Sequence, residues 1–148
     1  MIPREGRIVA IDWGEVRLGL ALSDETQFLA SPLDTLQRRV GRRFPMPRFL
    51  ELLEAHPPIV GLVVGLPLTS EGDEGPSSIA ARALAEKVQQ RTGLPLALVD
   101  ERMTTALALR AVHAQGGSTR GRKADVDALA ASVILQQYLD GRRNGTLT

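Results

Sequence analysis

Five carboxylates lie where a strand-like or helix-like segment of the sequence begins or ends. Asp12 follows the apolar run IVAI, Asp100 and Glu101 follow LPLALV, and Asp125 and Asp127 open the last helix-like segment. Element ends that are distant in sequence can meet in space, and carboxylates that meet repel one another. Mg²⁺ or Mn²⁺ prefers oxygen ligands and relieves that repulsion. The pattern therefore indicates a divalent-cation site, which in its two-ion form cleaves phosphodiesters.

Each of these acids also has a simpler structural interpretation. Asp125 is well placed to cap a helix, and Asp127 would then lie in the first turn, where the helix dipole favours anions. Asp100 or Glu101 could pair with the neighbouring Arg102. Asp12 is the hardest to explain in this way, because the apolar run before it predicts burial and a buried acid needs a partner.

Small residues near the acids are suited to binding phosphate. Gly14 would let a ligand approach the backbone closely. Thr104 and Thr105 are expected at the N-terminus of a helix, where backbone N–H groups attract anions. Ordinary turns and helix caps would explain all three equally well. Trp13 could stack on a base or simply pack against the core.

Basic residues, nearly all of them arginine, cluster in segments that contain no acid. The net charge is only +1, so their distribution is more informative than their number. Arginine suits bidentate contact with phosphate, although a solvated surface is the simpler interpretation of any one cluster. The candidate contacts in residues 35–50 and 103–124 include Arg42, Arg43, Arg120, Arg122 and Lys123. Arg142 and Arg143 form a third group.

The elements that would position these residues form an α/β pattern. Strands are predicted at 7–13, 17–23, 28–36, 57–68 and 94–100, and helices at 47–55, 77–92, 104–113 and from Val126 onward. The apolar stripe of the second helix is formed by Ile79, Ala83, Leu84 and Val88, and that of the last helix by Val126, Leu129, Ala130, Val133 and Ile134. A hairpin followed by alternating helices and strands predicts a mixed five-stranded sheet with helices on its faces. Ligands in such folds bind beyond the carboxyl ends of the central strands.

Length and composition narrow the classes of protein further. A chain of 148 residues, 43% of them hydrophobic, is expected to form a single domain over residues 1–148. The absence of cysteine excludes a disulfide framework and a thiolate zinc site. No segment has the pattern of a signal peptide or a membrane span, so a cytoplasmic location is expected.

Four segments carry a resemblance to a known family. IVAIDWGEVRLGLALSD, GLVVGLPLTSEGDEG, LVDERMTTALA and KADVDALAASVILQQYLD follow one another in this order. Together they resemble the YqgF/RuvX family, whose members are described as candidate Holliday junction resolvases or as nucleases that mature precursor small-subunit rRNA. The resemblance implies an RNase H-like fold. Trp13 and Glu15 depart from the small apolar residue and the Thr or Ser that the family more often has.

The resemblance also implies roles for individual residues. Asp12, Glu101 and Asp127 match the family's acids and would bind the metal. Arg17 and Arg102 match its basic positions and could contact phosphate, although pairing with the acids is the simpler alternative. Asp100 and Asp125 would support the ligands or cap their elements. RNase H-like nucleases commonly carry an acid at the end of the fourth strand, where this chain has VVGLPLTS, so Glu101 would have to substitute for it.

The function expected from this resemblance is that of a metal-dependent nuclease for structured nucleic acid. Maturation of the 5′ end of precursor 16S rRNA is the preferred assignment, with Mg²⁺ or Mn²⁺, in a pair of ions, as cofactor. The partner would be rRNA precursor or branched DNA, and the protein a monomer or homodimer. One alternative is a non-catalytic nucleic-acid-binding factor in ribosome assembly or transcription. Another is an actin-like nucleotide-binding domain, because DWGEVRLG resembles the phosphate loop of those ATPases.

Overall fold

Eight secondary-structure elements make up the part of the chain that the computed structural model describes. This part comprises residues 1–14, 16–37, 44–67, 72–73, 75–101 and 123–145, without the side chains of 123–125. The elements are β1 (Arg7–Asp12), β2 (Arg17–Ser23), β3 (Ala30–Gln37), α1 (Met46–Ala55), β4 (Ile59–Leu66), α2 (Pro76–Thr92), β5 (Leu96–Asp100) and α3 (Lys123–Arg143). The helix predicted at 104–113 lies outside the described residues.

The five strands form one mixed sheet in the order β3-β2-β1-β4-β5. The β1–β2 and β2–β3 pairs are antiparallel, as expected for strands joined by short connections, whereas β1, β4 and β5 are parallel to one another. This arrangement confirms the predicted mixed five-stranded sheet. Because β1, β4 and β5 run in the same direction, their carboxyl ends lie along one edge of the sheet.

Both faces of the sheet are covered, and each face has its own hydrophobic core. Side chains alternate between the faces along every strand. Val9 and Ile11 of β1 pack with buried residues of α1 and α2, whereas Ile8 and Ala10 pack with buried residues of α3. We call the second surface the α3 face. None of the helices in the described part of the chain is long and apolar enough to cross a membrane.

The predicted helical stripes are confirmed in part. Leu84 and Val88 of α2 are buried as predicted, whereas Ile79 is 61% exposed and α2 also buries Ala81 and Ala85. In α3, Ala130 and Ile134 are buried as predicted, whereas Leu129 is 43% exposed and Ala131 is buried against the sheet. Alanine on the buried side lets a helix backbone approach the strands closely.

Two predictions about helix ends have different outcomes. Gly93 ends α2 in a left-handed conformation with φ of 70°, and its N–H donates to the Gln89 carbonyl at 2.8 Å. This confirms the predicted stop, since glycine adopts that conformation without steric cost. The cap predicted for Asp125 is wrong, because α3 begins at Lys123 and Asp125 therefore lies inside the helix.

Candidate functional site

Asp12 is the last residue of β1 and lies in the middle of the carboxyl edge of the sheet. Its strand runs between β2 and β4, and Asp12 is only 3% exposed. Alternation along β1 places it on the α3 face, together with Ile8 and Ala10. The burial predicted from the apolar run before Asp12 is confirmed.

Glu101 follows β5 and reaches over the neighbouring strand β4. Its carboxylate oxygens are buried, and the residue as a whole is 0% exposed. The atom Oε1 lies 2.8 Å from the point that a Cβ atom on Gly65 would occupy, and Cδ1 of Ile134 in α3 lies 3.0 Å from the same point. Glu101 therefore lies on the α3 face, above the end of β4.

Glu101 and Asp12 are neighbours across the sheet. Ile11 pairs with Val64, so Gly65 on β4 stands level with Asp12 on β1. Adjacent strands are about 4.8 Å apart, and Glu101 lies over the glycine beside Asp12. Asp100, by contrast, follows Val99 of the α3-face core, and alternation places it on the opposite face.

Asp127 reaches the same corner of the molecule from the start of α3. Its backbone is pressed against Gly19 of β2, because a Cβ atom on Gly19 would lie 2.0 Å from the Asp127 carbonyl oxygen. Gly19 pairs with Asp12 in the β1–β2 ladder. Elements that are far apart in sequence therefore bring Asp12, Glu101 and Asp127 to one end of the α3 face.

Arg17 binds the Asp127 carboxylate. Its Nε donates to Oδ2 at 2.8 Å, and both side chains are partly buried, with 24% and 19% of their surfaces exposed. Of the two roles expected for Arg17, a phosphate contact or pairing with an acid, the structure contains the pairing. Among the residues that the structure describes, no three Asp, Glu, His or Cys side chains lie close enough together to hold a metal ion.

Several predicted contact residues lie outside the described part of the chain. These are Arg42, Arg43, Arg102, Thr104, Thr105, Arg120 and Arg122, together with the side chains of Lys123 and Asp125. Their assignment to nucleic-acid binding or to support of the site stays a prediction. The same holds for the departure from the family pattern at Glu15.

Arg142 and Arg143, for which a phosphate contact and a solvated surface were both open, have different surroundings. Arg142 is 4% exposed, donates to the Ile2 carbonyl at 2.7 Å and lies over the ring of Tyr138, so it has a structural role. The sequence does not show that the end of α3 packs against the N-terminal segment. Arg143 lies over the ring of Phe28, but 35% of its side chain is exposed, and a phosphate contact of this residue stays a prediction.

Trp13 and Gly14, beside Asp12, have structural roles that the sequence analysis had left open. Trp13 is partly buried and packs against the core under α1 and α2. Gly14 faces the Arg17 carbonyl oxygen, which would lie 2.2 Å from a Cβ atom, so the tight β1–β2 connection requires glycine. Gly19 and Gly65 were not among the residues predicted to shape the site, although glycine inside an apolar strand often marks a close approach of other atoms.

The family profile described as "RuvX: Holliday junction resolvase" matches residues 6–141, which include every carboxylate discussed above. The chain belongs to the RuvX family. Its resemblance to YqgF/RuvX proteins, stated from four sequence segments, is thereby confirmed.

Curated relatives of this RuvX protein match over nearly its whole length. A protein of Roseiflexus sp. (strain RS-1) is 41% identical over 143 residues, covering 97% of this chain and 100% of the relative. A protein of Anaeromyxobacter sp. (strain Fw109-5) is 41% identical over 136 residues, with 92% and 98% covered. Both bear the name "Putative pre-16S rRNA nuclease".

Among solved structures, the RuvX chain is similar to T. thermophilus RuvC in complex with a Holliday junction substrate. The TM-score is 0.56 at 20% identity, and the match covers 95% of this chain and 96% of RuvC. At this identity the likeness concerns the fold alone, and it confirms the predicted RNase H-like architecture.

Proposed function

We propose that this protein is a nuclease that hydrolyses phosphodiester bonds at the 5′ end of precursor 16S rRNA, with Asp12, Glu101 and Asp127 as its catalytic acids. The observation that carries the proposal is the placement of two buried carboxylates, Asp12 and Glu101, beside each other at the carboxyl edge of the sheet. Two neighbouring carboxylates repel each other, and a divalent cation relieves that repulsion. The names of the relatives support rRNA as substrate.

The donor set fits Mg²⁺ or Mn²⁺ in its chemistry, because these ions prefer carboxylate oxygens. Asp12 and Glu101 would be the first ligands, and Asp127 the third. When bound, a pair of such ions supplies a nucleophilic water and stabilises the leaving oxygen of the phosphodiester. Asp127 is held by its ion pair with Arg17. Among the described residues, it does not form a three-acid cluster with Asp12 and Glu101.

Arg17 has two tasks in this proposal. Its Nε orients the Asp127 carboxylate, as hydrogen-bonding partners commonly do for ligating acids. The guanidinium is partly exposed, so its terminal nitrogens can donate to a phosphate oxygen of the substrate. Arg17 would thus couple the binding of the nucleic-acid backbone to the position of the third acid.

A cleavage assay tests the proposal. Purified protein is incubated with precursor 16S rRNA carrying its 5′ extension, with unstructured RNA or with a four-way DNA junction, in Mg²⁺, Mn²⁺ or chelator. We expect metal-dependent cutting of the precursor at its 5′ end. Asp12→Asn should lower the rate about 100-fold or more, because the transition state loses several kcal/mol of stabilisation.

The matched control for this variant is Asp34→Asn. Asp34 lies on β3 and pairs with Arg48 at 3.4 Å, away from the carboxyl edge of β1 and β4. It undergoes the same loss of one negative charge and should keep the wild-type cleavage rate. Undiminished cutting by Asp12→Asn would overturn the assignment of the acids.

A non-catalytic nucleic-acid-binding factor is the second candidate function, and one observation favours it. Asp127 is paired with Arg17, and no three-acid cluster is present among the described residues. An assembly factor needs only the basic surface and would tolerate the loss of Asp12. RNA binding without cutting, equal in wild type and Asp12→Asn, would decide for this candidate.

A further inference from the structure

Asp12 stands between two glycines in a row that crosses three strands. Gly19 on β2 pairs with Asp12, and Gly65 on β4 is level with it. Glycine inside a strand is unfavourable, because it leaves the chain more freedom to lose and offers no side chain to pack. A strand glycine has a physical reason where another group occupies the space that a side chain would take. This is so at both Gly19 and Gly65.

The space above Gly65 is filled by the Glu101 side chain. A Cβ atom at position 65 would lie 2.8 Å from Oε1, 3.2 Å from Cγ of Glu101 and 3.0 Å from Cδ1 of Ile134. Distances under 3.0 Å are essentially absent from real Cβ contacts. Ile134 is fully buried between α3 and the sheet and has little room to move. Glu101 would therefore have to leave its position.

We propose that Gly65 is a positioning residue for the Glu101 carboxylate. The missing side chain at the end of β4 lets the acid of β5 occupy the place beside Asp12. This explains how the chain can lack an acid at the end of its fourth strand and still present a carboxylate there. The consequence for metal binding rests on the proposed function, whereas the contact itself does not.

The first test measures Mn²⁺ binding by calorimetry on the full chain without nucleic acid. Gly65→Ala should weaken Mn²⁺ binding about 10-fold or more, as expected when a ligand loses its orientation. It should also lower kcat for RNA cleavage and leave KM unchanged, because the basic surface is intact. In a Glu101→Ala background, the same change at Gly65 should have no further effect on Mn²⁺ affinity. A full and additive loss in that background would overturn the proposal.

Thermal unfolding of wild type, Gly65→Ala, Glu101→Ala and the double variant tests the contact between Gly65 and Glu101 independently of function. Gly65→Ala should lower the melting temperature by roughly 3–10 °C, the usual effect of an overpacked core. In the Glu101→Ala background the decrease should be much smaller, because the contacts with Glu101 are gone and only the 3.0 Å contact with Ile134 remains. If Gly65→Ala does not fold alone, recovery of folding in the double variant supports the proposal. Equal destabilisation in both backgrounds, or failure of both to fold, overturns it.

The control is Gly61→Ala in the same strand. Its Cβ atom would lie 2.5 Å from Cγ2 of Ile2, a crowded contact on the side chain of a different residue. We expect a lower melting temperature and Mn²⁺ affinity within twofold of wild type. Wild-type protein that neither binds Mn²⁺ nor cuts RNA would refute the proposed function, and the unfolding cycle would still decide the role of Gly65.

Discussion

Gly19→Ala should displace the start of α3 and, with it, Asp127. An added methyl group would lie 2.0 Å from the Asp127 carbonyl oxygen, 2.4 Å from its carbonyl carbon and 3.0 Å from the Ala128 nitrogen. All three are backbone atoms, so no side-chain rotation relieves the overlap. The helix must move away from β2 or the strand must bend.

The size of the effect follows from these distances. Ordinary contact begins at 3.4 Å, so the carbonyl must retreat by about 1.4 Å. Overpacking of a core costs about 1–3 kcal/mol, and an overlap with backbone atoms belongs at the upper end of that range. At 2–4 °C per kcal/mol, the melting temperature should fall by roughly 6–12 °C. A catalytic group misplaced by about 1 Å costs roughly 100-fold in rate.

The assay combines circular dichroism melts with single-turnover cleavage of precursor rRNA at a temperature where every variant is folded. Gly61→Ala is the matched control, because it adds the same methyl group to a strand glycine away from the carboxyl edge. Its overlap is with side-chain atoms of Ile2 and not with backbone atoms. We expect this control to lose stability but to cleave at a rate within about twofold of wild type.

Either of two results would refute the reasoning about Gly19. A variant as stable as wild type would mean that α3 does not press on β2 at this point. A destabilised variant that cleaves at the wild-type rate would mean that the position of Asp127 does not matter for the chemistry.

Three further predictions concern charged groups. Arg17→Lys should change the unfolding free energy by only about 1 kcal/mol, since the ion pair with Asp127 is partly exposed. It should nevertheless lower the single-turnover cleavage rate clearly, because lysine lacks the guanidinium fork. Cleavage at the wild-type rate would contradict this prediction. Burial raises the pKa of Asp24, but hydrogen bonds from the Thr26 hydroxyl and from backbone N–H groups outweigh it and hold the pKa below 3.8. The resulting stabilisation is present above pH 3.8 and is lost as the pH falls through the folded-state pKa. The urea midpoints of wild type and Asp24→Asn should therefore converge in acid. A difference between the midpoints that stays constant with pH would refute this prediction. Arg142→Met should cost about 2 kcal/mol in thermal unfolding through the lost bond to Ile2 and leave RNA affinity, measured by fluorescence anisotropy, unchanged; weaker RNA binding would restore Arg142 as a phosphate contact.

Several predictions that depended on local signals were confirmed. The strand predicted at 17–23 has the same bounds in the structure, and α2 ends before Gly93 as expected. Hydrophobic period and glycine stops act within a few residues, so they can be recognised without knowledge of the fold. The buried side of α3 was predicted less well, since exposed Leu129 and buried Ala131 are distinguished only by what lies opposite them.

Some predictions about the whole protein are confirmed, and others stay predictions. The RuvX family and the RNase H-like fold are confirmed by the comparisons. The single domain over residues 1–148, the cytoplasmic location, the oligomeric state and the identity of the metal stay predictions. The catalytic roles of the three acids are proposals that the placement of their side chains supports.

The sequence alone was sufficient to predict the strands of the sheet, the candidate acids and the family. Residue types and spacing left Asp100 and Glu101 both open, and only the family resemblance favoured Glu101. The tertiary structure adds that Glu101 lies against Gly65 and that Asp127 presses on Gly19, contacts between residues that are far apart in the chain. These contacts support the proposed choice of acids. The sequence also could not show that Arg17 pairs with Asp127, 110 residues away, or that Arg142 is buried. Such contacts depend on how the helices and strands pack, because space between side chains is a property of the assembled fold and not of any one segment.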